Sequence, residues 1–312
     1  MRSSFALIAT AGIIALTLSG CASAPAPEVA SGDSSNAVTV KGDFGDKPRV
    51  EFPTPLAPSE TQCTEVIAGE GELLQEGQLV LLGASLFNGT TGEEVQTIGY
   101  DGNPVPLAVG GETLIAFSKG LSCAREGSRV VVVAPSEEAI MPSDDPTGAE
   151  GGDSLVAVFD VQRAFMPRAD GTVRLSRDGF PAVVLAPDGR PGITVPKTDP
   201  FETTQVEVLK EGAGPVVESG DTVVVHYTGV TWAESEVLKD STWQNGAPTI
   251  VTVTDGEGGQ MPAGFSKAVI GQKVGSQVAV VVPPGDGFGD QGNAQVAPGA
   301  TLFYVIDILG VI

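Results

Sequence analysis

The chain has 312 residues, 41% hydrophobic but 5% aromatic, with 41 glycines and 23 prolines; this is enough length for two domains, and a composition of short strands joined by many turns rather than of a helical bundle. A formal net charge of −22, from 17 basic against 39 acidic residues and with no Lys/Arg cluster, argues against nucleic acid or anionic headgroups as partners. The single histidine, His226, excludes multi-histidine zinc sites, and a Ser-His-Asp triad would have to use that one residue.

Arg2 supplies a thin positive start, and Phe5 to Leu18 is an apolar run too short to span a bilayer well, as in the central part of a secretory signal. The run ends in Leu18-Ser19-Gly20-Cys21, which resembles the bacterial lipobox. That resemblance implies a lipoprotein signal peptide over 1–20, lipidation of Cys21 and anchorage on the extracytoplasmic face of the cell membrane. The other two cysteines, Cys63 and Cys123, make a natural pair for an oxidising compartment, and lipidation would use up the odd thiol. Residues 21–60 are rich in Ala, Pro, Ser and Gly and have little hydrophobic periodicity, so they read as a flexible tether.

An internal repeat follows. Ala116-Phe117-Ser118-Lys119 returns as Gly264-Phe265-Ser266-Lys267, and Gly127-Ser128-Arg129-Val130 as Gly275-Ser276-Gln277-Val278. Leu155 to Asp160 returns as Leu302 to Asp307, and Thr64-Glu65-Val66-Ile67 as Val206-Glu207-Val208-Leu209. The near-constant spacing predicts two copies of one fold over 61–165 and 204–312. In the second copy, strands are expected over 205–210, 221–229, 248–254, 276–283 and 301–309, and one short helix over 263–270. Each copy is thus an α+β domain, an antiparallel sheet curled around one helix. The stretch 166–203, punctuated by Asp170-Gly171, Asp178-Gly179 and Asp188-Gly189, reads as an ordered linker with small extended pieces such as Ala182–Leu185.

The second copy resembles the FKBP-type peptidyl-prolyl cis-trans isomerases over nearly its whole length. The resemblance rests on Val223-Val224-Val225-His226-Tyr227-Thr228-Gly229, Lys239-Asp240-Ser241-Thr242-Trp243, Gly264-Phe265, Pro283 to Gly289, and Pro298-Gly299-Ala300-Thr301-Leu302, in family order and spacing. The whole layout is similar to actinobacterial surface lipoproteins of this family. The resemblance implies isomerisation of X-Pro bonds in exported proteins, without cofactor or metal. It also implies a pocket with Phe265 as floor, Tyr227 and Asp240 at its edge, and Met261, Pro262, Phe288, Val296 and Tyr304 as walls. His226 has the opposite strand parity to Tyr227 and should face away, as a structural residue.

Departures from the family pattern are Lys239, Thr249 and Val251 in place of aromatics and Phe288 in place of a tyrosine, which predicts a smaller apolar area and weak catalysis. In the first copy Ala84 takes the place of Tyr227 and Thr97 falls near that of Asp240, so that copy should be degenerate; its fold should bring Cys63 and Cys123 within disulfide reach. A non-catalytic chaperone or peptide-binding module on the same groove is the alternative function. The acidic groups Asp144, Asp145, Glu150 and Asp153, and Asp255 with Glu257, lack the ligand alternation of a calcium loop and read as solvated loops.

Overall fold

The computed structural model describes residues 27–110, 115–139, 153–255 and 260–312. The expected signal peptide 1–20, Cys21, and the acidic residues Asp144, Asp145, Glu150 and Glu257 lie outside them.

A short helix α1 (Asp33–Asn36) and a hairpin of β1 (Thr39–Lys41) and β2 (Arg49–Glu51) precede the first sheet. That sheet contains β3 (Gln62–Ile67), β4 (Leu79–Asn88), β5 (Glu94–Ile98), β6 (Val105–Ala108), β7 (Arg129–Ala134) and β8 (Leu155–Ala164), with helix α2 (Ile115–Gly120) before β7. The linker carries β9 (Thr172–Val173) and a hairpin of β10 (Ala182–Leu185) and β11 (Pro191–Thr194). The second sheet is built from β12 (Gln205–Glu211), β13 (Thr222–Thr231), β14 (Thr249–Thr252), β15 (Gln277–Val282) and β16 (Leu302–Val311). Helices α3 (Thr242–Asn245) and α4 (Ala263–Val269) flank β14. All five expected strands and the expected helix of this copy form, with ends within two residues of those read from the sequence.

The first sheet runs β3-β7-β8-β4-β5, with β6 pairing the start of β4; the second runs β12-β15-β16-β13-β14, with β9 added outside β12. All these pairings are antiparallel. Register shifts fall at matching places, between Leu81 and Leu82 in β4 and between Val224 and Val225 in β13. A second matching pair lies between Glu65 and Ile67 in β3 and between Val208 and Lys210 in β12. A bulge bends its strand and re-aims the side chains beyond it, so matched bulges give both sheets the same curl.

Helix α4 lies against β15 because Gly264 lets it: a Cβ there would sit 2.6 Å from Val282 Cγ1. The inner core of the second sheet gathers Val223, Val225, Phe265, Val280, Ile306 and Ile308. In the first sheet Val80, Leu82, Val130, Val132 and Phe159 fill the same layer. Cys63 and Cys123 are joined by a disulfide with Cα atoms 6.4 Å apart.

The central strands of both sheets are buried on both faces. Every residue of β7 and of β15 is buried, as expected of strands without polar alternation. This corrects the reading of 21–60 as a flexible tether. From Pro27 onward that segment is folded back over the outer face of the first sheet, where Val38 and Leu56 pack with Phe87, Val131, Val133 and Val156. Phe52 meets Phe87 edge-on at 6.1 Å. Its composition looks like a tether because its few apolar residues are spread along the segment, yet Val38, Val40, Val50, Phe52 and Leu56 cover hydrophobic strands that would otherwise meet water.

The linker covers the second sheet in the same way. Phe180, Val183, Ile193 and Phe201 lie on the outer-face residues Ala279, Val281, Phe303 and Val305. A further apolar cluster joins the two sheets, with Leu79 and Leu81 of the first and the adjoining Phe165 against Val224, Ile250 and Leu309 on the side of the second.

Candidate active site

The inner face of β13 carries the residues singled out from the sequence. Past the bulge at Val224/Val225, Tyr227 points into the core and is 3% exposed. Its ring meets Phe265 of α4 edge-on at 5.3 Å and Tyr304 of β16 at 6.0 Å, and Phe265 meets Tyr304 at 5.5 Å. Edge-to-face contacts of this kind set ring positions as well as adding stability. Gly229 makes room for the trio: a Cβ there would lie 2.6 Å from the Tyr304 ring. This gives a physical reason for the glycine that closes the His-Tyr-Thr-Gly motif.

Asp240 is exposed on the turn between β13 and α3, and the Tyr227 hydroxyl donates to its Oδ2 at 3.3 Å. Burial, and then the Asp240 carboxylate, push the Tyr227 phenol well above its ordinary pKa. Burial does the same for Tyr304, with Asp240 and Tyr227 adding to it. Both phenols therefore stay protonated and remain donors at any physiological pH.

Around this centre, Val296 and Pro262 are buried, while Met261 and Phe288 are half-buried and pack on the same cluster. The Pro262 carbonyl accepts the Phe265 N–H at 2.9 Å and starts α4. The loop bearing Phe288 is fixed through Asp286, which accepts from Lys267 Nζ at 2.7 Å and from the Thr204 hydroxyl. These two bonds hold the Asp286 carboxyl below its usual range. Phe265, expected as the floor of an open pocket, has no exposed surface. The residues with surface at this place are Met261, Phe288 and Asp240.

Of the departures, Val251 is buried in the core, Thr249 is half-buried, and Lys239 is exposed, its N–H donating to Gln295 Oε1 at 3.0 Å. That bond ties the Asp240 turn to the loop before Val296. His226 lies on the opposite face, stacked on Trp243 with ring centroids 3.6 Å apart, and Nδ1 is 2.6 Å from Thr242 Oγ1. Burial pushes its pKa down to about 3, against a weak opposing pull from Asp188. A neutral ring stacked on Trp243, with Nδ1 engaged by the Thr242 hydroxyl, is committed to the structure and is not placed as a general base. Sequence reasoning assigned no role to Ser241 and Thr242, whose hydroxyls turn out to hold the Asp240 turn on β13.

The register locates the matching positions of the first sheet. Asp160 pairs with Gly83 as Asp307 pairs with His226, so Ala84 stands where Tyr227 does and Ala157 where Tyr304 does. Leu86, opposite Ala157, takes the place of Gly229, opposite Tyr304. The first sheet thus fills with a leucine from β4 the space that the second fills with a ring from β16. Thr97 bonds Ser85 and Glu94 within its own hairpin. A groove of about 600 Å³ lined by Leu74, Gln78, Glu126, Phe165 and Met166 lies where the first sheet meets the linker, and contains none of the residues of the aromatic site. Among the described residues, no group of three or more His, Cys, Asp or Glu could hold a metal ion.

The family model of FKBP-type peptidyl-prolyl cis-trans isomerase matches residues 214–309. An FK506-binding protein of Streptomyces anulatus is 33% identical over 124 residues, which is 39% of this chain and 97% of that protein. FK506-binding protein 1 of Debaryomyces hansenii is 34% identical over 111 residues, covering 35% of this chain and 95% of its own length. Among solved structures, the three FKBP domains of wheat FKBP73 align over 81% of this chain and 95% of that one, at a TM-score of 0.36 and 17% identity. With the matched strands, the aromatic trio and Asp240 all inside the matched segment, the chain belongs to the FKBP-type peptidyl-prolyl cis-trans isomerase family.

Proposed function

We propose that residues 204–312 isomerise X-Pro bonds of exported polypeptides outside the cytoplasmic membrane, from a lipid anchor at Cys21. The observation that carries the catalytic part is the convergence of Tyr227, Phe265 and Tyr304 beneath a single carboxylate, Asp240.

An X-Pro amide resists rotation by about 18–20 kcal/mol because of resonance, and the uncatalysed exchange takes tens of seconds or more. No bond is made or broken. Twisting the amide removes resonance and with it much of the charge separation, so a dry apolar surface stabilises the twisted form relative to water. The proline ring would settle among Met261, Phe288 and the rings below, and Asp240 would accept from the substrate's own amide N–H groups.

The first sheet is, in this reading, a second FKBP-like copy that has lost the site. It supports the second copy through the cluster at Leu79, Leu81 and Phe165. The Cys63–Cys123 disulfide fits an oxidising compartment. Incorporation of a labelled fatty acid into the full chain, lost in Cys21→Ala, tests the anchor.

Catalysis is tested by cis/trans exchange on an X-Pro peptide, followed by NMR. The full protein should accelerate exchange, and Asp240→Ala should lower kcat/KM about tenfold. Exchange left at its spontaneous rate would replace this reading with a peptide-binding module, which Lys239 and Thr249 in place of aromatics would favour.

A further inference from the structure

Strand β14 pairs with β13 only from Thr222 to Val225. Beyond that point the outer edge of β13 turns the N–H and C=O of Tyr227 and Gly229 toward the Asp240 turn. Buried backbone groups need partners; the Leu238 N–H donates to the Gly229 carbonyl at 2.9 Å, and two side-chain hydroxyls serve the other groups. Thr242 Oγ1 accepts the Tyr227 N–H at 2.6 Å and also lies 3.2 Å from the Tyr227 carbonyl. Ser241 Oγ accepts the Gly229 N–H at 3.0 Å and lies 3.4 Å from the Gly229 carbonyl. Both residues are buried, Ser241 at 0% and Thr242 at 4% exposure. They stand in for a missing strand.

These two residues directly follow Asp240, and the Tyr227 hydroxyl bonds the Asp240 carboxylate. The result is a closed ring of contacts: Tyr227 backbone to Thr242 hydroxyl, along the chain through Ser241 to Asp240, and back through the carboxylate to the Tyr227 phenol. His226 Nδ1, 2.6 Å from the same Thr242 oxygen, adds a contact from the other face of the strand. Exposed turn carboxylates ordinarily sample several positions; this one is fixed at both ends to the strand that carries the aromatic centre.

We infer that Ser241 and Thr242 are positioning residues for the isomerase, holding the Asp240 carboxylate at the rim of the Tyr227–Phe265–Tyr304 centre. This rests on the isomerase reading above. A misplacement of the order of an ångström is costly to a group that must meet a transition state.

The test is a double-mutant cycle in the full protein, read as kcat/KM for exchange on an X-Pro peptide. Thr242→Val keeps the shape and removes the hydroxyl, and should lower kcat/KM about fivefold. Thr242→Ser restores a hydroxyl and should recover most of that loss. In an Asp240→Ala background, Thr242→Val should have no further effect, because its influence passes through the carboxylate. An equal loss in both backgrounds, or no loss in the parent, would overturn the inference while leaving the isomerase reading standing. Failure of Thr242→Ser to recover activity, with all variants melting alike, would overturn it as well. A parent protein that fails to accelerate exchange overturns the isomerase reading, and this inference with it.

Discussion

The two sheets keep a buried carboxylate at one register position and surround it differently. Asp160, in β8, accepts a two-pronged bond from Arg129, Nε at 2.6 Å and Nη2 at 2.7 Å. The rest of the guanidinium reaches the carbonyls of Gly42, Asp43 and Asp46, and the Gly45 N–H donates to Asp160 at 2.7 Å. Asp307, in β16, has Gln277 in the place of the arginine, donating at 2.7 Å, and takes the Ala169 N–H at 2.9 Å. In both cases the acid fastens an added segment, 27–60 or the linker, over the outer face. The outer cover is thus common to both sheets, and the difference between them lies in how its charge is balanced and in what the inner face retains.

That difference predicts unequal stabilities. Asp160→Ala leaves a buried arginine unpaired and should cost roughly 3–5 kcal/mol in chemical denaturation. Asp307→Asn should change stability by about 1 kcal/mol or less at neutral pH. Burial raises the Asp307 carboxyl, with Ala169, Gln277, Lys210 and Arg168 pulling the other way. The sign follows from that direction: the contribution of Asp307 is fully present in acid and is lost as pH rises through its folded value, and the asparagine variant lacks this dependence. Equal costs for the two substitutions at pH 7 would break the comparison.

A second contrast lies one strand over, where Gly83 faces Asp160 but His226 faces Asp307. Burial lowers His226 to about 3, so its neutral form is the folded form. Stability from this residue is complete above its unfolded value of about 6.5 and is lost as pH falls toward 3, at up to about 1.4 kcal/mol per unit. The stability advantage of the parent over His226→Gln should therefore shrink across that window in acid denaturation. An advantage independent of pH would mean the ring takes up its proton without disturbing the stack on Trp243.

The sequence made the inner faces readable and the outer ones hard to read. Tyr227 sits in a strand block whose alternation fixes its face, Phe265 and Asp240 sit in short motifs on a helix and a turn, and the register puts Ala84 in the place of Tyr227 as alignment of the repeat implies. The fold of 27–60 was missed because Val38, Phe52 and Leu56 are spaced by contact with a distant sheet and by no local period. The clue lay elsewhere, in the unbroken Val130-Val131-Val132-Val133 run of β7, which needs cover on both sides. Thr242 was missed for a related reason: its meaning depends on where β14 stops, which propensity does not set.

The smallest expected effect concerns the phenol that the first sheet lacks. Tyr227→Phe removes the donor to Asp240 and little else, since the ring contacts with Phe265 and Tyr304 remain. The hydroxyl orients the Asp240 carboxylate, so kcat/KM should fall about fivefold in the exchange assay, and the lost bond should cost no more than about 1 kcal/mol of stability. The reciprocal change, Ala84→Tyr, should confer no activity on the first sheet. Leu86 already fills the space that Gly229 leaves for Tyr304, and Thr97 supplies a hydroxyl committed to Ser85 and Glu94 in place of a carboxylate. Measurable exchange by an Asp240→Ala, Ala84→Tyr double variant above that of Asp240→Ala alone would show that a single ring suffices. It would also mean that the leucine-for-tyrosine exchange between facing strands is no bar to activity in the first sheet.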